Sequence, residues 1–330
     1  MNQIKRDIKI KIIIDNILPK VGVSACLIGH SVRYDGGHKR DKFIVDVLNK
    51  HFDLVPICPE TAIGLGTPRE TIRLVGDHQR PRLVGGPDHN RDITDLMESY
   101  AHSQSYQVNQ FCGYILKKDS PSCGMERVKV YSEDENQSIR RGSGLFARIL
   151  MEQHPLIPIE EECRLNDAIL RENFINRIYV LQRWHIILYR GITPAQLLEF
   201  HTIHKYLVMA HSQASYRRLG RLIGNLSEID IYSLADLYIC ELMSALKRRV
   251  IRGRHCNVIQ HIMGYLKKRI SHDDKITLSA SIESYRQGKI PLVVPINLLK
   301  HHIKYHPDEY LQKQVYLQPY PDSIGLRDTI

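Results

Sequence analysis

Phe111-Cys112-Gly113-Tyr114-Ile115-Leu116 is an apolar run of strand length that stops abruptly at Lys117-Lys118-Asp119-Ser120-Pro121-Ser122-Cys123-Gly124. The run suits a buried strand, and the stretch after it cannot extend one, because Pro121 has no N–H for a ladder and Gly124 permits a sharp turn. The loop so defined carries two hydroxyls, a thiol and a carboxylate, groups that a core excludes. Two earlier stretches repeat the arrangement. Lys20-Val21-Gly22-Val23-Ser24-Ala25 leads to Cys26, and Phe52-Asp53-Leu54-Val55-Pro56-Ile57 leads to Cys58-Pro59-Glu60. Three cysteines therefore lie at or just past the ends of expected strands.

Helical periodicity fills the intervals. Phe43, Ile44, Val47 and Leu48 share one face of a helix near 41–51, and Ile93, Leu96, Met97 and Tyr100 share one near 93–107. A third helix is expected near 143–153 and a further strand over Leu156 to Ile159. Strands alternating with helices imply a mostly parallel sheet covered on both faces, with the carboxyl ends of the strands along one edge, where ligands bind. Cys26, Cys58 and Cys123 would converge on that edge. Cys112 lies inside a strand and reads as core. Gly85-Gly86-Pro87 and Gly142-Ser143-Gly144 lack a phosphate-loop fingerprint and read as turns. The segment from Asp77 to Asn90 has no assigned structure, and residues 1–20 read as an extension or edge strand.

Composition bounds the partners. A hydrophobic content of 43% over 330 residues suits two globular domains. No apolar run is long enough to span a bilayer and no secretory signal is recognisable, so a cytoplasmic location is expected, with no membrane partner. The seven cysteines resemble no disulfide framework, which in a reducing compartment points to metal or catalysis. The net charge of +10 is unevenly spread. Residues 1–165 hold 23 Lys and Arg against 22 Asp and Glu, and residues 166–330 hold 23 against 14. The excess belongs to the second half.

Three thiolates leave one position of a metal centre open to a substrate atom, and a sulfur shell favours iron–sulfur clusters, copper or zinc. The surrounding motifs carry a resemblance. Val23-Ser24-Ala25-Cys26-Leu27-Ile28-Gly29, Arg33-Tyr34-Asp35-Gly36, Pro56-Ile57-Cys58-Pro59-Glu60, Gly64-Leu65-Gly66-Thr67-Pro68-Arg69 and Ser120-Pro121-Ser122-Cys123-Gly124 resemble, in order, the 2-thiouracil desulfidase family. The resemblance implies a 4Fe-4S cluster held by Cys26, Cys58 and Cys123, with one open iron that takes the sulfur of a thiocarbonyl. It also points to Glu60 as general acid/base and to Ser120 as the group that positions the attack. Ser24, Asp119 and Ser122 either contact substrate or bond the loop backbone, and Arg69 either meets a substrate oxygen or forms a structural ion pair.

The first domain is expected to span 1–165, followed by a helical connector over 166–190 and a mainly α-helical domain over 191–330. Thr193-Pro194-Ala195-Gln196 opens a helix with a capping box. Further helices are expected over 213–223, 231–249, 256–270 and 277–287. His201, His204 and His211, and likewise His255 and His261 with Cys256, read as structural or RNA-contacting rather than metal-binding, and Cys240 reads as core. Between 205 and 269 there are twelve Lys and Arg against four Asp and Glu. Lys205, Arg217, Arg218, Arg221, Lys247, Arg248, Arg249, Lys267 and Lys268 are the candidate RNA contacts, with Tyr206, Tyr216 and Tyr265 as stacking partners.

Phe200-His201-Thr202-Ile203-His204-Lys205, Tyr216-Arg217-Arg218-Leu219-Gly220 and Asn257 to Lys267 resemble the YbgA-type C-terminal domain over roughly 190–318. Chains joining the two domains resemble tRNA desulfidases that convert 4-thiouridine to uridine, which implies tRNA as the partner and a thiolated pyrimidine as the reacting group. Two alternatives stand beside this: a desulfidase of free thiouracil or thionucleotides, and a noncatalytic RNA-binding protein with structural zinc.

Overall fold

The computed structural model describes residues 17–86, 91–134 and 137–328, so the N-terminal extension up to residue 16 and the Pro87 turn lie outside the described residues. The chain divides after Asn166 into two compact units.

In the first unit, strands β1 (Lys20–Ser24), β2 (Asp53–Ile57), β5 (Gly113–Leu116) and β8 (Ile159–Glu161) form an all-parallel sheet in the order β2-β1-β5-β8. The central strands are apolar on both faces, with Val21, Val23, Tyr114, Ile115 and Leu116 all fully buried, as a sheet covered on both sides requires. Helix α1 (Lys42–Asp46) lies between β1 and β2, and Asp41 caps it by accepting a hydrogen bond from the Ile44 N–H at 3.0 Å. It is shorter than the periodicity implies, because the chain tightens into a 3-10 turn over Leu48–Lys50. Helices α2 (Pro59–Ala62), α3 (Thr94–Ser103), α4 (Ser105–Val108) and α5 (Leu145–Gln153) complete the unit. Strand β8 starts later than expected. Pro158 cannot donate to a ladder, but its carbonyl accepts from the Tyr114 N–H at 2.9 Å, so the pairing begins there and runs into Glu160 and Glu161.

A second sheet was not legible in the sequence. Strands β3 (Ile72–Val75), β4 (Arg82–Gly85), β6 (Val128–Tyr131) and β7 (Ser138–Gly142) pair in the order β4-β3-β6-β7, parallel only between β3 and β6. These strands are short, four or five residues, and each carries at least one Lys or Arg. The edge strand β7 reads Ser-Ile-Arg-Arg-Gly and is mostly exposed, so it offers no apolar run to detect.

The second unit is helical: α6 (Ala168–Arg190), α7 (Pro194–His211), α8 (Gln213–Gly224), α9 (Ile231–Leu246), α10 (Arg252–Leu266), α11 (His272–Arg286), α12 (Val293–Tyr305) and the short α13 (Glu309–Gln312). Helix α6, expected as a separate connector, clusters with this unit and buries Phe174, Ile175, Ile178, Val180 and Trp184 in its core. The capping box of α7 forms in both directions, Gln196 N–H to the Thr193 hydroxyl at 3.3 Å and Thr193 N–H to the Gln196 side chain at 2.9 Å.

Trp184 meets the Phe200 ring edge-on at 5.3 Å between centroids, and Tyr238 packs against both. The tail beyond Leu317 is anchored by a buried ion pair. Arg327 donates to Glu172 at 2.9 Å and to the Tyr316 carbonyl at 2.8 Å, and the Tyr320 hydroxyl donates to the same Glu172 oxygen at 3.2 Å. Those extra hydrogen bonds offset part of the cost of desolvating the two charges. Among the described residues no helix is long and apolar enough to cross a membrane.

Candidate active site

The carboxyl ends of β1, β2 and β5 open onto a cavity of about 360 Å³. Cys26 reaches it from a 3-10 turn over Ala25–Ile28, Cys58 from the N-cap position of α2, and Cys123 from the loop after β5. The strands end in register, Ser24 opposite Ile57 and Val23 opposite Ile115. Three stretches far apart in sequence thus deliver their thiols to one space. Glu60, Arg69, Ser24, Asp119 and Ser120 line the same cavity, and so do Arg33, Lys39, Lys117 and Lys118.

The polar groups are organised around Glu60. Arg69 donates to its Oε2 from both Nε, at 3.0 Å, and Nη2, at 2.5 Å, while its Nη1 donates to the Gly66 carbonyl at 2.8 Å. The pair is largely buried, with side-chain exposures of 6% and 14%. Two planar bonds from a guanidinium fix a carboxylate far better than a single contact does. The loop carrying Arg69 is itself pinned, its N–H bonding the Tyr34 carbonyl at 2.9 Å. The other Glu60 oxygen lies 3.5 Å from the Ser120 hydroxyl. That hydroxyl oxygen also accepts from the N–H groups of Ser122, at 3.2 Å, and Cys123, at 3.0 Å. Ser120 therefore links the carboxylate to the turn that presents Cys123.

The remaining candidates divide. Ser24 is buried, accepts from the Lys117 N–H at 3.0 Å and hydrogen-bonds the Cys123 thiol. Asp119, at φ 60°, occupies the left-handed region that Asp tolerates and accepts from Arg140 at 2.9 Å. Ser122 is fully buried and is not among the residues lining the cavity, so its backbone shapes the turn while its hydroxyl lacks access.

The run Glu160-Glu161-Glu162 reads in sequence as a domain end, yet Glu161 and Glu162 brace the Cys123 loop from two sides. Glu161 accepts from the Met125 N–H at 2.8 Å, and Glu162 accepts from the Lys118 N–H at 2.8 Å and pairs with the Lys117 ammonium. Burial raises the Glu161 carboxyl above the usual range. Only the strand register of β5 and β8 reveals this role, because the two stretches are neighbours in the sheet and not in the chain.

Gly144 closes the turn from below. A Cβ there would sit 2.5 Å from the Ser122 backbone carbonyl and 2.8 Å from the Cys123 N, atoms that cannot rotate away. Gly144→Ala is expected to displace the Cys123 turn and lower the melting temperature by several degrees, roughly the effect of 1–3 kcal/mol of overpacking. Thermal unfolding followed by circular dichroism checks this, and an unchanged transition would refute the close approach.

Burial, then the neighbouring Cys58, pushes the Cys26 thiol up to about 11, against the lowering effect of Lys117 and Arg33. Burial first, then Glu60 and Cys58, raises the Cys123 thiol well above its ordinary value. As free groups both are neutral thiols at pH 7, and a soft cationic centre would displace their protons. Arg33, Lys39 and Lys117 supply positive charge for such a thiolate set. Among the described residues no three His, Cys, Asp or Glu side chains are placed to hold a single metal ion. Three thiols lining one cavity supply the soft sulfur donors that an iron–sulfur cluster takes. Cys112 is buried, with its thiol pushed up to about 12 by burial.

In the second unit Arg217, Arg221, Lys247, Arg248, Arg249, Lys267 and Lys268 are exposed. Arg218 pairs with Glu241 at 2.7 Å. The Lys247–Arg249 and Lys267–Lys268 groups follow the C-termini of α9 and α10, where cations also complement the helix dipole. Lys205 is half-buried with its ammonium 4.6 Å from the Tyr310 ring. Tyr206 is buried at 5% exposure and packs against Tyr310, so it cannot stack on a base, whereas Tyr265 is 45% exposed. Cys240, expected in the core, lies on the exposed side of α9, because its neighbours Ile239 and Leu242 take the buried positions. The histidines bond within the unit: His204 to the Phe200 carbonyl at 2.8 Å, His201 to the Tyr238 hydroxyl at 3.2 Å and His211 to the Arg248 carbonyl at 2.6 Å.

The first unit is therefore an α/β domain whose parallel sheet gathers three thiols and a braced carboxylate at its carboxyl edge. The family model described as 2-thiouracil desulfurase matches residues 21–162, and the one described as a protein of unknown function, DUF1722, matches residues 205–321. The chain belongs to the 2-thiouracil desulfurase family through its first unit and to the DUF1722 family through its second. It is 32% identical over 154 residues to the uncharacterized protein YbgA of Escherichia coli (strain K12), covering 46% of this chain and 90% of the relative. It is also 32% identical over 154 residues to the uncharacterized protein YbbK of Bacillus subtilis (strain 168), covering 44% of this chain and 98% of the relative. A solved structure of the 4Fe-4S-dependent thiouracil desulfidase TudS aligns with 45% of this chain and 94% of its own length at 29% identity, with a TM-score of 0.37.

Proposed function

We propose that this chain is a desulfidase that replaces the C=S of a thiolated pyrimidine by C=O, with 4-thiouridine in tRNA as its substrate. Membership of the 2-thiouracil desulfurase family supports the desulfidase activity. The observation that carries the reading is the meeting of Cys26, Cys58 and Cys123 with the Glu60–Arg69 pair in one cavity. The reaction takes its oxygen from water and releases hydrogen sulfide, with no net transfer of electrons. A 4Fe-4S cluster held by the three cysteines would supply, when bound, a thiophilic iron for the departing sulfur.

The chain's own groups manage water and protons. Glu60, held by Arg69, takes a proton from the attacking water and returns one to the leaving sulfur or the ring. Ser120 orients that carboxylate and keeps the Cys123 turn closed. Arg33, Lys39 and Lys117 make the cavity favourable to negative charge. The exposed basic residues of the second unit, Arg217, Arg221, Lys247, Arg248, Arg249, Lys267 and Lys268, hold the phosphate backbone of the tRNA. The thiolated base would reach the first unit's cavity out of its stack.

The test is anaerobic incubation of iron-reconstituted and metal-free protein with thiolated tRNA, followed by chromatography of the nucleosides. Conversion of 4-thiouridine to uridine by the reconstituted protein alone is expected. Equal conversion by both preparations would end the reading, and a preference for free thiouracil would transfer it to the free base. Stoichiometric zinc in place of iron would favour a noncatalytic RNA-binding role.

A further inference from the structure

The second unit contains a cavity of about 320 Å³, within the range of small-molecule sites, that the desulfidase reading does not use. Its lining combines buried polar residues, Glu172, Asn176, His211, His255 and Arg327, with the exposed Arg249 and Arg252. Asn176 is 4% exposed, and its side-chain oxygen is buried without a hydrogen-bond partner. A buried orphan acceptor is costly, and it calls for a donor.

His211 adds a second acceptor. Its Nδ1 bonds the Arg248 carbonyl at 2.6 Å, and because a carbonyl only accepts, Nδ1 carries the proton and Nε2 presents a lone pair. Burial, first of all, lowers its pKa to about 4, so the ring stays neutral. His255, bonded to the Tyr316 hydroxyl at 2.9 Å, is held neutral by burial in the same way. Glu172 is the one carboxylate in the lining, and one of its oxygens is taken by Arg327 and Tyr320.

The exposed pair is positive. Arg249 and Arg252 have no carboxylate partner among the described residues. Arg252 is held in place by donating to the Tyr285 carbonyl at 3.1 Å and by lying 4.9 Å from the centroid of the Tyr285 ring. A held guanidinium at Arg252 beside an exposed one at Arg249 suits a phosphate, while the two cations repel an amine.

We propose that this cavity binds a ribonucleoside monophosphate, with hydroxyl and ring N–H donors toward Asn176 and His211 and the phosphate on Arg249 and Arg252. A free nucleotide and the terminal nucleotide of an RNA chain offer the same chemistry. The inference goes beyond the desulfidase reading, since it stands whether or not the first unit acts on tRNA.

The experiment is calorimetric titration of the full chain with UMP, uridine, inorganic phosphate and short RNAs with or without a 5′-phosphate. UMP is expected to bind at least tenfold more tightly than uridine or phosphate. Arg252→Ala and Asn176→Leu are each expected to weaken UMP at least tenfold, with circular dichroism unchanged. Arg249→Ala, at an exposed position, repeats the test without touching the interior. Binding that survives all three variants, equal binding of UMP, uridine and phosphate, or no UMP binding would overturn the proposal. UMP binding with no binding of the short RNAs would support the cavity and count against the RNA-holding role of the second unit. A preference for 5′-phosphorylated RNA over UMP would make the RNA end the natural ligand.

Discussion

Cys123→Ala is expected to strip the anaerobically purified protein of most of its iron, from about four per chain, and to lower desulfidation by more than about a hundredfold. Cys123 is the proposed ligand whose position is set by three separate contacts. Its N–H is held by Ser120, its thiol meets Ser24, and its turn is closed from below by Gly144. Replacing its sulfur by hydrogen removes little volume, so the fold is expected to survive, as judged by circular dichroism. Two control variants make the result specific. Cys112→Ala removes a buried thiol within the sheet region, and Cys240→Ser changes an exposed one on α9; both are expected to retain full iron. Iron and sulfide analysis beside visible absorption gives the readout. If Cys123→Ala retained its iron while Cys112→Ala lost it, the ligand set would be wrong.

Glu60→Gln is expected to lower kcat by roughly 10² to 10⁴, the usual contribution of a positioned acid or base, while iron content and KM change little. The amide keeps the size of the carboxylate but cannot take a proton. It also weakens the two bonds from Arg69 to Oε2, so a second variant is needed to separate chemistry from position. Arg69→Ala leaves Glu60 intact but removes both of its charged hydrogen bonds, at 3.0 and 2.5 Å. A smaller fall in kcat is expected there, with recovery in Arg69→Lys incomplete because an ammonium cannot make the paired bonds. Undiminished turnover in Glu60→Gln would move the proton transfer to another group.

The central sheet was readable because its strands obey simple rules. Val21, Val23, Ile115 and Leu116 form short apolar runs, and each run ends at residues unable to pair onward. The capping box at Thr193 was readable for the same reason, since its partners lie three residues apart. Strands of four or five residues interrupted by charged side chains gave no such signal, and so the β4-β3-β6-β7 sheet and the role of Glu161 and Glu162 remained hidden. Cys240 and Tyr206 were misplaced because periodicity identifies an apolar face but not which neighbour covers it.

Residue order alone specified the alternation of strands and helices, the helical second half and its charge, and the three thiols at strand ends. These are local properties of spacing and residue type. Tertiary structure alone decided that Arg69 grips Glu60, that Ser120 ties this carboxylate to the Cys123 turn, and that Glu161 and Glu162 brace the loop. It also decided that Asn176, His211 and Arg252 share a cavity. Each of these pairings spans a separation in the chain that only strand register or helix packing closes, and so no local pattern records it.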